Sequence, residues 1–253
     1  MNLVFSTGFL APQMLGGQEY FRALPSKYPD ALFPLVPIVG TIEERAKALA
    51  SAITGRNFPP GPIHIVAHSM GGLDSRFLIS QDVAGLASSG RIASLSTIST
   101  PHLGSAVADF VVAPKLESIP ERALYDTIIA VVHALGMPTG ALANLTTSFC
   151  KTFDAANPDR AGIKYFAYAG VGLSNLFLKP SHAYLQHVGK TPEEVQNDGM
   201  VTIASATHNG LTEPPWPGAD HVTEVGWQID RPGFKGDFDH LSAFDRILQR
   251  ASQ

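Results

Sequence analysis

The stretch "IHIVAHSMGGLDSRF", residues 63–77, constrains the fold more than any other part of the chain. Its first five residues are mostly apolar and β-branched, as a strand buried in the middle of a sheet requires. A histidine, a serine and two glycines follow, and the next residues place Leu73, Phe77 and Leu78 towards one side of a helix. Ser69 therefore sits where a strand turns sharply into a helix. The A-x-S-x-G pattern at 67–71 fits a nucleophile elbow, where small neighbours relieve crowding around a strained serine. The usual first glycine is Ala67 here, one methyl larger, while Gly71 and Gly72 let the helix approach. A serine that merely caps a helix is the competing reading. The strand before it and the helix after it favour the nucleophile.

Apolar β-prone runs recur at 3–5, 35–39, 62–67, 92–99 and 163–171, with helical patterns between several of them. This alternation points to the α/β class, with a mostly parallel central sheet flanked by helices. The clearest helix is expected over 42–54. Thr41 and Glu44 have capping-box spacing, Ile42, Ala46, Leu49, Ala50 and Ile53 form one apolar stripe, and Gly55 ends it. A last helix is expected at about 240–250, carrying Leu241, Phe244, Ile247 and Leu248. With 253 residues and no repeat or linker, the chain reads as a single domain, 1–253. Residues 105–148 stand apart: they are apolar, interrupted by prolines, and carry Ile128, Val131, Val132 and Leu135 at helical spacing. They read either as a buried helix pair or as a lid that covers an apolar pocket above the sheet.

Composition removes several function classes. A formal charge of −4 gives no electrostatic case for a nucleic-acid partner. One cysteine, Cys150, makes no internal disulfide and no multi-cysteine zinc site. No H-E-x-x-H metal pattern occurs, and "GVGLSN" at 170–175 lacks the third glycine of a dinucleotide loop, so no metal or other cofactor is expected. No apolar run is long enough to span a bilayer. The start, "MNLVFSTGFL", reads as a strand entering a glycine turn and not as a signal peptide. The expectation is a cytoplasmic chain as it stands, or a secreted one whose leader was removed.

A serine hydroxyl needs a base to take its proton, normally a histidine oriented by a carboxylate. Asp198, in the N-D-G turn of "QNDGMVTIASA", is a candidate acid, although N-D-G alone is simply a turn. His221 in "GADHVTEVGW" and His240 in "GDFDHLSAFDR" are candidate bases, and both give the order Ser, Asp, His. His64 lies within a strand and reads as structural. His68 precedes the serine, so its side chain should diverge from it. His102 in "STPHLGS", with Leu103 beside it, is a candidate for the pocket rim.

Five blocks in order, "VFSTGF", "VAHSMGGLDSRF", "STPHLGSAVAD", "NDGMV" and "DHVTEVGWQ", make the chain resemble the bacterial triacylglycerol lipases (family I type) of the α/β-hydrolase superfamily. The resemblance implies an α/β-hydrolase fold with a helical lid, and a serine hydrolase that cleaves carboxylic esters, most naturally acylglycerols with medium or long acyl chains. It implies Ser69 as nucleophile, Asp198 as triad acid and His221, preferred to His240, as base. It places the oxyanion hole on the backbone N–H groups of Phe9 and Met70, with Thr7 where family members carry histidine. Ile128 and Val132 join His102 and Leu103 as expected substrate contacts. Family lipases often bind calcium through an aspartate two residues after the histidine. Thr223 stands there, a much weaker ligand, so no calcium is expected. A lipid or small-molecule ester is the expected partner, met transiently at a lipid–water interface. A polyhydroxyalkanoate depolymerase, a small-ester carboxylesterase and a catalytically silent binding protein of the same fold remain as alternatives.

Overall fold

The computed structural model of the chain describes residues 1–8, 19–114, 116–137, 139–228 and 238–253. Four strands, β1 (Asn2–Ser6), β2 (Ile63–His68), β3 (Ile92–Ile98) and β4 (Lys164–Tyr168), pair in that order, every pair parallel. Parallel neighbours need a crossover between them, and helices supply it. The helix Ile42–Gly55 follows β1, and Met70–Ser80 follows β2. The expected capping box at Thr41 and Glu44 is formed in both directions. A short parallel pair, β5 (Gly170–Val171) and β6 (Trp216–Pro217), lies beyond β4.

Strand alternation divides the core into two layers. Leu3, Phe5, Val66 and Ile98 share one cluster with Phe244 and Ile247 of the last helix, His240–Ala251, and with Val107 and Ile128 from the 105–148 segment. Val4, Ile65, Ala67 and Leu95 share the other with Leu49 and Ile53 of the first long helix and Leu78 of the next. The result is a sheet covered on both faces, as expected from the sequence.

The run at 35–39 forms no strand. Pro34 and Pro37 have no N–H to donate, and the edge of β1 is taken instead by Leu32. Leu32 donates to the Leu3 carbonyl (2.8 Å) and accepts from the Phe5 N–H (2.9 Å). Leu35 and Val39 are left exposed. Between β3 and β4 the 105–148 segment contributes the helices Ala106–Val112 and Ile119–Ala134 and a 3₁₀ turn at Thr139–Leu145. No described helix is long and apolar enough to cross a membrane.

One close approach positions everything that follows. A Cβ added to Gly71 would lie 2.6 Å from the Ser6 carbonyl oxygen and 2.7 Å from that of Thr7, both backbone atoms. Gly71→Ala should therefore push the helix off the end of β1 and cost about 1–3 kcal/mol. Urea unfolding of the variant checks this, and a midpoint equal to the parent's would contradict it.

Candidate active site

Ser69 follows the last residue of β2 and precedes the first helical residue, Met70, with φ 55° and ψ −135°. Few non-glycine residues adopt such a backbone, which persists only where the surroundings over-determine it. Here its N–H donates to the Ile98 carbonyl (2.9 Å), while its own carbonyl accepts from Gly72 N–H (3.0 Å) and the Thr100 hydroxyl (2.8 Å). The Met70 amide belongs to the first turn of the helix, whose N–H groups have no intrahelical partner and carry partial positive charge.

Asp198 is buried in the N-D-G turn, where Gly199 takes a φ of 95°. Its Oδ1 accepts from the N–H groups of Met200 (2.8 Å) and Val201 (2.7 Å). Its backbone carbonyl accepts the N–H of His221 (2.9 Å), so the two loops are tied before their side chains meet. His221 Nδ1 lies 2.7 Å from Asp198 Oδ2, and Nε2 lies 3.0 Å from Ser69 Oγ. With Nδ1–H given to the carboxylate, the Nε2 lone pair faces the hydroxyl, which is the arrangement that lets an imidazole accept a proton from serine.

No family model matches the chain. A curated relative, triacylglycerol lipase 2 of Saccharomyces cerevisiae, is 30% identical over 216 residues, 82% of this chain and 61% of that protein. The chain thus spans less than two thirds of the yeast relative's length. A triacylglycerol lipase of Vibrio cholerae is 26% identical over 260 residues, 88% of this chain and 78% of its own. The crystal structure of the mature Bacillus licheniformis lipase BlEst2 superposes with a TM-score of 0.71 at 20% identity, covering 99% of this chain and 91% of that one. The chain has the α/β-hydrolase fold of that lipase. The fold expected from the sequence is the fold found.

In this fold the other candidate base, His240, opens the last helix and is not brought to Ser69. Its Nε2–H donates to the Arg22 carbonyl (2.9 Å), and Asp239, one residue earlier, caps the helix. Phe9 lies outside the described residues. Its neighbour Gly8 rests directly on the serine: a Cβ there would be 2.7 Å from Ser69 Cβ and 3.1 Å from Oγ. Thr223 turns its hydroxyl to Asp220 Oδ1 (3.0 Å), and Asp220 Oδ2 already accepts the N–H groups of Ser174 and Asn175.

Ser69 and His221 open onto a small cavity of about 10 Å³, walled by Ser105, Ala108, Met137, Leu142 and Leu145 from the 105–148 segment and by Met200 and Val201. Ile128 and Val132 are buried in the core and do not line it. Leu103 is half exposed and lines a separate groove of about 380 Å³ with Leu185 and Val188. Three residues to which the sequence assigned no role in the site, Tyr20, His68 and Glu224, are buried, with the His68 ring 4.6 Å from that of His221. His68, His221 and Glu224 also form the group of potential metal ligands found among the described residues. Their facing atoms are already engaged in hydrogen bonds, so an ion would have to break those bonds first.

His102 is buried away from the cavity. Its Nε2 lies 3.2 Å from the Thr97 hydroxyl, its Nδ1 lies 3.4 Å from Arg76 Nη1, and its ring stacks on His208. Burial, and then the Arg76 charge, hold it well below the usual imidazole range. The unfolded chain therefore takes up a proton below about pH 6.5 that folded His102 refuses, and stability is lost as pH falls through that value. Replacing the ring in His102→Gln should make the fall between about pH 7 and pH 5 shallower, by up to ~1.4 kcal/mol per pH unit. Urea titrations across that range test it; parallel curves for parent and variant would contradict it.

Proposed function

We propose that this chain hydrolyses carboxylic esters as a lipase, acting on acylglycerols with medium or long acyl chains. One observation carries the reading: the unbroken line from Ser69 Oγ through His221 to Asp198, at 3.0 and 2.7 Å. Ser69 attacks the ester carbonyl while His221 Nε2 takes its proton, and Asp198 orients the ring and stabilises the imidazolium. The Met70 amide, paired with that of Phe9, receives the oxyanion. His221 then protonates the departing alcohol, and water activated by the same ring releases the acid. No step needs a metal or a cofactor.

The apolar wall around Ser69 supports an acyl substrate, since Ala108, Met137, Leu142, Leu145, Met200 and Val201 offer methyl and methylene groups. At about 10 Å³ the cavity is too small for an acyl chain, so binding requires this wall to give way. The 105–148 segment, which supplies most of it, is the lid in this reading. Exposed Val112 and Ile119, on consecutive helices of that segment, provide apolar surface for transient contact with a lipid–water interface. Met137 also borders a larger cavity of about 600 Å³ lined by Val39, Thr41, His133 and Ala141.

Two experiments follow. Ser69→Ala and His221→Ala should each lower kcat on p-nitrophenyl esters by at least about 1000-fold, whereas His240→Ala keeps turnover near the parent's. Persistent turnover in Ser69→Ala would sink the assignment. Truncating the shared wall in Met137→Ala should shift kcat/KM towards longer acyl chains across an ester series. An unaltered chain-length profile would show that Met137 does not bound the acyl site.

A further inference from the structure

Tyr20, His68 and Glu224 are buried together, yet the proposed chemistry uses none of them. Gly8 N–H donates to Tyr20 Oη at 3.0 Å. Tyr20 Oη lies 2.6 Å from His68 Nδ1, and His68 Nε2 lies 3.0 Å from Glu224 Oε2. The Ser99 hydroxyl closes the series by donating to Glu224 Oε1 at 2.6 Å. Four distant pieces of the chain are thereby joined, and the far end of the series is the glycine that rests on Ser69.

The direction of the protons follows from counting them. A backbone N–H only donates, so Tyr20 Oη is an acceptor for Gly8. Burial, followed by the positive character of His221, holds His68 well below the usual imidazole range, so its ring is neutral and carries one N–H. A proton on Nδ1 would point at Tyr20 Oη and leave the phenolic hydrogen facing another donor. A proton on Nε2 satisfies every group: Nε2–H goes to Glu224, Tyr20 O–H goes to Nδ1, and Gly8 N–H goes to Tyr20. Burial, and then the charge of Asp198, raise the Glu224 carboxyl well above the usual range. Whether Glu224 is ionised or neutral, its Oε2 can accept from His68.

Two consequences meet at the nucleophile. The His68 ring lies 4.6 Å from the His221 ring, and a neutral His68 places no second cation beside the imidazolium that forms in the reaction. Gly8 is gripped from two sides, by Tyr20 at its N–H and by Arg45, whose Nη2 donates to the Gly8 carbonyl (3.3 Å) and to that of Thr7 (2.8 Å).

We infer that Glu224, His68 and Tyr20 form a second relay, separate from Ser69–His221–Asp198, that positions the Gly8 backbone against Ser69. Tyr20 and His68 are positioning residues in this account, with Glu224 setting the His68 tautomer. The inference rests on the ester-hydrolase reading for its catalytic consequence but not for its structural one.

Tyr20→Phe in the full chain removes one hydroxyl and tests both. Hydrogen exchange at the Gly8 amide, followed by NMR, should accelerate by roughly tenfold or more. On p-nitrophenyl esters kcat should fall about tenfold with KM within about twofold, less than the ~100-fold that follows outright loss of an oxyanion donor. Glu224→Gln, which keeps an acceptor for His68 Nε2–H, should retain most of the parent's kcat, and Glu224→Leu should fall to the Tyr20→Phe level. Unchanged Gly8 exchange in Tyr20→Phe overturns the relay, and so does faster exchange with kcat unaltered. A parent chain that turns over no ester would fail the function proposed above, while Gly8 exchange still decides the relay without substrate.

Discussion

The carboxyl end of β1 packs against the first turn of the helix behind Ser69 with no room for a methyl group. The carbonyls of Ser6 and Thr7 occupy the space that a Gly71 side chain would need, and Thr100 occupies that of Gly72, where an added Cβ would come within 2.0 Å of its hydroxyl. This contact brings the helix close enough to leave Ser69 at φ 55° and ψ −135°. A backbone of that kind costs of the order of 1–3 kcal/mol, offset here by hydrogen bonds to Ile98, Gly72 and Thr100. The serine hydroxyl is consequently lifted off the sheet's carboxyl edge, where open α/β sheets present their ligands.

Around that point the structure separates two histidines by what holds them. His221 is oriented by a carboxylate that is itself held by two backbone N–H groups, and it faces the serine. His68 is enclosed by a phenol and a carboxyl, and its hydrogen bonds lead through Tyr20 to the Gly8 backbone and not to the hydroxyl. Proximity in sequence is a poor guide here. His68 is adjacent to Ser69 yet works elsewhere, and His221 is 152 residues away yet bonded to it.

Local chemistry was legible wherever one segment carried the whole signal. The strand–serine–helix turn, the capping box at Thr41, the last amphipathic helix and the N-D-G turn each depend on neighbours in sequence, and each formed where expected. The run at 35–39 misled because apolar character resembles strand propensity even when Pro34 and Pro37 remove the donors a ladder needs. Tyr20, His68, Glu224 and Arg45 were opaque for a different reason. Their meaning lies in contacts between segments over 100 residues apart in some cases, such as His68 to Glu224 across 156 positions. No periodicity or spacing encodes such a meeting, although Glu224 does sit inside the histidine block that carried the resemblance. The same limit applies to His102, whose loop suggested a pocket rim but whose ring is taken by Thr97 and Arg76.

Whether Ser69 is an activated nucleophile is decided by reacting the intact chain with a fluorophosphonate and locating the adduct by peptide mass mapping. The account predicts stoichiometric phosphonylation on the peptide containing Ser69 and none elsewhere, with the reaction abolished when the chain is first unfolded in urea. An unlabelled folded chain, or an adduct on any other residue, would contradict it.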